Sequence, residues 1–199
     1  MAIKLFGKWD CSGIKVNDPG LVRYINLDPV LVPKSRGRFS KSQFHKSKMH
    51  IVERLITKLM VPGHRGKKHV ISSGRCTGHY TTKYKIVKKT FEIIEQKTKK
   101  NPVEVFVRAI ENAAIREEIA SYQVGGIIVR RAVVTSPQRR IDLALRMIVQ
   151  AAYRKAHNKK VSMAEALANE IIGAYENNPN KSDAIREKER IEKEAEAAR

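Results

Sequence analysis

The sequence predicts a mainly α protein: a helical bundle of about five to six helices with one protruding β-hairpin between the third and fourth helices. Three observations predict it. Several segments repeat apolar residues at helical spacing. Gly125-Gly126 splits a run of β-formers in SYQVGGIIVRR (121–131), as a hairpin turn does. The segments on either side of that run, at Asn101-Pro102 and Ser136-Pro137, open with a cap residue followed by proline. The expected organisation is an N-terminal extension with a basic end (1–45), a helical domain (46–178) with the hairpin at about 118–135, and a charged C-terminal tail helix (179–199).

The extension contains Pro19, Pro29 and Pro33, and its basic end runs on past 45 in PKSRGRFSKSQFHKSK (33–48). Trp9, Leu21, Tyr24, Ile25 and Leu27 are apolar enough to pack on a body, so Trp9 reads equally as packing or as function. Helical periodicity begins near Lys48, where Ile51, Val52, Leu55, Ile56 and Leu59 form one stripe that Pro62-Gly63 ends. A long Gly-, Ser-, Lys- and His-rich loop follows over 62–80. The second helix is expected from about Lys83 to Lys97, burying Tyr84, Val87, Phe91 and Ile94. Lys83, Lys85, Lys88 and Lys89 crowd towards its start, where cations oppose the macrodipole and call for an external anion.

Asn101, Pro102 and Glu104 form a helix start, and Val103, Phe106, Val107, Ile110 and Ala114 supply the third stripe. In the hairpin, Val124 faces Ile127, Gln123 faces Ile128 and Tyr122 faces Val129, so apolar side chains lie on both faces of the tip. A hairpin packed between helices would bury both, but the arginines directly after the apolar run argue for projection. An isolated hairpin is marginal in water, so a projecting one needs a partner. The fourth helix buries Ile141, Leu145, Ile148 and Ala152, while Arg139 and Arg146 share another face with Arg154 close by. Acids are mildly favourable at a helix start, so helix stability alone is not expected to suffer when Arg139 and Arg140 are reversed to Glu. Ser162 and Glu165 form a capping box for a fifth helix through Tyr175, with Met163, Leu167, Ile171 and Ala174 inward. The tail SDAIREKERIEKEAEAAR is helix-prone with almost no apolar stripe, so it is either a solvated helix or a segment ordered by a neighbour.

Charge narrows the partners. The net charge is +20, and residues 34–100 hold nineteen Lys/Arg against Glu53, Glu92 and Glu95. A solvated surface normally mixes both signs, so a polyanion is the expected partner. The basic charge is spread over the extension, loop, helix starts and hairpin, which suits folded RNA better than the single recognition helix typical of duplex DNA readers. No run of roughly 18 apolar residues is present, and MAIKLFGKWD lacks the apolar stretch of a signal peptide. Cys11 and Cys76 read as free thiols of a reducing cytoplasm.

No catalytic constellation appears. GHRGKK (63–68) lacks the GxxxxGK[ST] pattern of a phosphate loop. Cys76 and His79, with His64 or His69, lack the second ligand pair of a zinc site, so no metal or other cofactor is expected. An RNA-modifying or RNA-cleaving enzyme and a DNA-binding regulator remain rival classes, separable by an activity assay on RNA and by a matched RNA-versus-DNA binding comparison.

LMVPGHRGKK (59–68), NPVEVFVRAIENA (101–113), VGG (124–126), RRAVVTSPQRRIDLALRMI (130–148) and SMAEALANEI (162–171) together resemble the S-seven family of small-subunit ribosomal proteins. LFGKW (5–9) and IVERLITKLM (51–60) resemble its archaeal and eukaryotic branch, S-five-e. The resemblance implies a structural ribosome constituent, not an enzyme, bound to the 3′ domain of small-subunit rRNA and nucleating assembly of the subunit head. It implies that residues 46–178 form the rRNA-binding domain, and that neighbouring head proteins complete the hairpin tip (Tyr122, Gln123, Val124, Gly125, Gly126, Ile127, Ile128) near exit-site tRNA and the mRNA path. The residues expected to face rRNA are Arg36, Arg38, Lys41, Lys46, Lys48, Lys67, Lys68, Arg75, Lys83, Lys85, Arg130, Arg131, Arg139, Arg140, Arg146, Arg154, Lys155, Lys159 and Lys160.

Overall fold

Residues 3–63 and 78–199 are described by a computed structural model. The expectations for Lys67, Lys68, Arg75 and Cys76 lie outside the described residues, as do His64 and His69. Among the described residues the order is α1 (Ile51–Leu59), α2 (Tyr80–Thr98), α3 (Pro102–Ala113), β1 (Glu117–Val124), β2 (Ile127–Val134), α4 (Pro137–Ala156), α5 (Met163–Tyr175) and α6 (Asp183–Glu196), with short 3-10 turns at Val22–Tyr24, Arg38–Ser40 and His45–Lys48. The strands pair antiparallel in the expected register, Val124 with Ile127 and Tyr122 with Val129.

The helix starts follow local chemistry. Asn101 Oδ1 accepts from the Val103 N–H at 3.1 Å, and Ser162 Oγ accepts from the Glu165 N–H at 3.2 Å. Ser136 behaves differently from Asn101: it stands at the start of α4 but its side chain makes no capping bond. Helix α2 begins at Tyr80, a turn before the expected Lys83, because the Tyr80 ring packs on Tyr84 and its hydroxyl donates to the Pro33 carbonyl. Helix α1 is capped by His50, whose Nδ1 accepts from the Val52 N–H at 3.2 Å.

The expected stripes of α1, α3 and α4 are all buried, and Val87, Phe91 and Ile94 of α2 join them in one core. The N-terminal extension is part of that core. Leu5, Trp9, Cys11, Leu21 and Ile25 are buried, and Phe6, Trp9 and Phe91 meet edge to face. Trp9 is therefore a packing residue, its Nε1 donating to Glu95 at 3.1 Å. Burial pushes the Cys11 thiol up to about 11, so it is an inert free thiol.

Helix α5 lies against α2, α3, α4 and α6. Glu170, fully buried on it, is satisfied by three partners: Ser182 Oγ at 2.7 Å, the Ala184 N–H at 2.9 Å and Lys155 Nζ at 2.6 Å. One turn on, Gly173 admits the chain before α6, since a Cβ there would lie 3.0 Å from Lys181 Cβ and 3.1 Å from its carbonyl carbon. The tail is thus ordered by its own protein rather than solvated. Ala184, Ile185 and Ala195 are buried, Lys188 Nζ donates to the Asn112 carbonyl at 2.8 Å, and Glu192 accepts from the Arg116 N–H at 2.9 Å. Its attachment is largely polar, which an apolar-periodicity reading does not register.

Two outcomes follow from these buried groups. Glu170→Ala leaves a buried hydroxyl and N–H unpaired and should destabilise the protein by roughly 3 kcal/mol in denaturant unfolding, with α6 protected least in hydrogen exchange. Burial depresses the His50 imidazole to about 4, against the opposing charge of Asp28. The unfolded chain therefore takes up that proton first. Stability present above about pH 6.5 should be lost as pH falls towards 4, by about 3 kcal/mol. His50→Asn, which keeps a capping acceptor, should flatten that part of the stability–pH curve.

Candidate nucleic-acid interface

The basic end of the extension lies against α1 and α4 because one carboxylate gathers them. Asp142 accepts from Lys46 Nζ at 2.7 Å and from Arg54 at 3.1 Å, and Arg54, 1% exposed, also donates to the Tyr24 carbonyl at 3.0 Å. Burial alone would raise the Asp142 carboxyl, but the bonds and charges of Lys46 and Arg54 together hold it below the ordinary carboxylate value. Beside them, Glu53 is buried and accepts from the Ser35 N–H and hydroxyl, both at 2.7 Å. Lys34 stands over the Tyr80 ring at 5.2 Å and ties the extension to the start of α2.

Around this anchor the cations outnumber the acids. Arg36, Arg38, Lys41 and Lys48 on the basic end of the extension and Arg146 on α4 are exposed, and none of their side chains has a hydrogen-bond or ion-pair partner among the described residues. Lys58 of α1 is held below its ordinary value by burial, then by Lys46, with Arg146 and Arg54 adding to the repulsion and Asp142 opposing it. Lys83 lines one groove with Tyr153 of α4 and His157 just after it, and the first turn of α2 carries no acid. The side chains of exposed Lys85, Arg154, Lys159 and Lys160 also lack partners among the described residues. The extension, α1, α4 and the start of α2 thus form a connected cationic region.

Other expected positions lie elsewhere or are already engaged. Arg130 and Arg131 line a separate groove with the C-terminal Ala198 and Arg199, and Arg199 pairs with Glu117 at 2.5 Å. Lys155 points at the α6 junction, bonding Glu170 and the Lys181 carbonyl. Arg139 grips Glu118 through two bonds of 2.5 and 2.7 Å. Arg140 donates to Asp18 at 2.7 Å with its side chain 13% exposed, and Asp18 is held below its ordinary value as this bond outweighs burial together with the Gly20 N–H. The macrodipole expectation for reversing both arginines concerns the helix itself and does not include these bonds. A glutamate at position 140 would face Asp18 across a shielded contact that holds the extension to α4. The acids that answer the cations at this helix start come from distant chain segments, so the macrodipole alone does not register them.

The hairpin projects. Residues 121–128 are all exposed, with Ile127 at 71% and Ile128 at 67%. Gly125 and Gly126 have φ of 54° and 87°, the conformation of a tight two-residue turn that other residues adopt at a cost. Its base is covered by α6. Lys58, Arg54 and Phe44 are the neighbours of the cationic region that periodicity did not single out. Arg54 interrupts an otherwise apolar helix face, which was the available signal. No cluster of three or more metal-ligating side chains occurs among the described residues, and no helix among them is long and apolar enough to cross a membrane.

Comparison with known proteins places these features in a family. Residues 21–199 match the family model described as Ribosomal protein S7p/S5e. A protein named small ribosomal subunit protein uS7 from Nanoarchaeum equitans is 53% identical over 199 residues, covering 100% of both chains. Its namesake from Archaeoglobus fulgidus is 47% identical over 98% of this chain and 94% of its own. That from Methanococcus maripaludis is 46% identical over 100% of each. The protein belongs to the ribosomal protein S7p/S5e family.

Proposed function

We propose that this protein is an rRNA-binding structural constituent of the small ribosomal subunit, working in the cytoplasm within that subunit. The observation that carries the reading is the connected region of unpartnered cations on the extension, α1, α2 and α4. Folded RNA supplies the phosphates that such a surface lacks. In the finer reading the rRNA is the 3′ domain and binding nucleates the head. Residues 46–178 form the rRNA-binding domain, with the extension and tail as its two appendages. Arg36, Arg38, Lys41, Lys48, Lys83, Lys85, Arg146, Arg154, Lys159 and Lys160 make direct phosphate contacts. Lys46, Arg139, Arg140 and Lys155 chiefly fix the shape of the surface. Arg130 and Arg131 act with the hairpin, whose apolar tip is completed by head proteins near exit-site tRNA and the mRNA path.

Affinity for transcribed 3′-domain rRNA should fall steeply with salt, since each phosphate contact contributes a log–log slope of about −0.7 to −0.9. A slope near zero contradicts the reading, as does equal affinity for duplex DNA of matched length. Replacing Tyr122–Val129 by two glycines closes the hairpin between the paired Ser121 and Arg130 and removes no member of the hydrophobic core. The shortened protein should unfold within a few degrees of the full one and enter small subunits. It should alter handling of exit-site tRNA or reading-frame accuracy in a frameshifting assay. Unchanged decoding would mean that the tip is idle, and loss of folding would mean that it is core.

A further inference from the structure

One aromatic ring of the basic extension stands in the open. Phe44 is 69% exposed, whereas Phe6, Phe91 and Phe106 are buried. It is also held in a conformation that bulky residues avoid, with φ at 64°, at the start of the 3-10 turn His45–Lys48. Ser47 fixes that turn, its hydroxyl donating to the Phe44 carbonyl at 2.9 Å. The ring borders a cavity of about 370 Å³, near the lower end of the roughly 300–1,000 Å³ range of small-ligand sites.

The lining of this cavity has a definite chemistry. Leu143 supplies an apolar surface, Arg139 and Arg146 two guanidiniums, and Gln138 a shielded Oε1 that accepts no bond among the described residues. The carboxylate in the lining, Asp142, is already engaged by Lys46 and Arg54, and Arg139 by Glu118. Arg146 is left without an acidic partner, and Lys58 behind it is crowded by cations. A flat apolar ring beside an uncompensated guanidinium fits a ligand with a π-face and a negative charge joined together. A nucleotide has both.

We propose that Phe44 and Arg146 hold one unpaired nucleotide of the rRNA, its base stacked on the Phe44 ring and its phosphate against the Arg146 guanidinium. This rests on the rRNA-binding reading above and adds to it a contact that depends on an unstacked base. Duplex RNA presents its phosphates to a cationic face but keeps its bases stacked, so the site selects a bulge, loop or junction.

The test uses the full chain and transcribed 3′-domain rRNA, with Phe44→Leu, Phe44→Trp and Arg146→Gln. Loss of a base stack should weaken binding by about 5- to 150-fold in Phe44→Leu while leaving the log–log salt slope unchanged. Phe44→Trp should bind at least as well as the parent, with the emission of its added indole quenched on binding. Arg146→Gln should make the slope shallower by about one contact. Phe44→Leu binding within twofold of the parent, or an added indole in Phe44→Trp that stays unquenched, would overturn the proposal. If Phe44→Leu binds bare rRNA normally but fails to enter reconstituted subunits, the ring serves a protein neighbour and the proposal falls. A parent protein that does not bind this rRNA would overturn the rRNA assignment itself, a result distinct from failure of the Phe44 variants alone.

Discussion

Glu170 is the group on which the packing of this protein turns. It sits fully buried on α5, the helix that touches α2, α3, α4 and α6. A bare carboxylate there would be prohibitive, and it is tolerated because a hydroxyl, a backbone N–H and an ammonium close around it. The same three bonds fix where α6 starts and which way Lys155 of α4 points. Gly173 lets the chain come near enough to make them. With α6 seated, its residues Lys188 and Glu192 reach the end of α3 and the entry to the hairpin. The direction of the hairpin is therefore linked, through α6, to a buried charge in the middle of the bundle.

The same economy of acids shapes the surface. Asp142 gathers Lys46 and Arg54, Glu53 holds Ser35, Asp18 holds Arg140, and Glu95 holds Trp9. Each of these carboxylates joins the N-terminal extension to a helix or to its neighbours. They leave the side chains of Arg36, Arg38, Lys41, Lys48 and Lys85 without partners among the described residues. A basic excess in the sequence thus becomes a directed surface. These acids hold segments together, and the surplus positive charge is left on the surface, as an external polyanion would require.

The bundle and hairpin were legible because they rest on short-range rules. Stripes such as Ile51 to Leu59, the Asn101-Pro102 start and the Gly125-Gly126 turn each encode their own geometry within a few residues. The general sign of the interface was legible too, from the crowding of lysines and arginines in 34–100. What periodicity misses is long-range and polar. The α6 stripe was hidden because the helix is attached by bonds such as Lys188 to Asn112 rather than by a wide apolar face. The split between binding and bridging arginines was hidden as well, since Arg140 and Asp18 are 122 residues apart in sequence and meet only in the fold. Phe44 belongs to no periodic stripe, and its exposure comes from the turn that carries it.

In the reading proposed above, cations without internal partners face rRNA, while bridged cations hold the fold. Lysine acylation of the free protein and of its complex with 3′-domain rRNA, read residue by residue by mass spectrometry, tests it most directly. Strong protection on binding is expected at Lys41, Lys48, Lys83 and Lys85. Little change is expected at Lys8 and Lys181, which already pair with Glu92 and Glu176. Uniform protection across both groups, or protection confined to the bridged lysines, would contradict it.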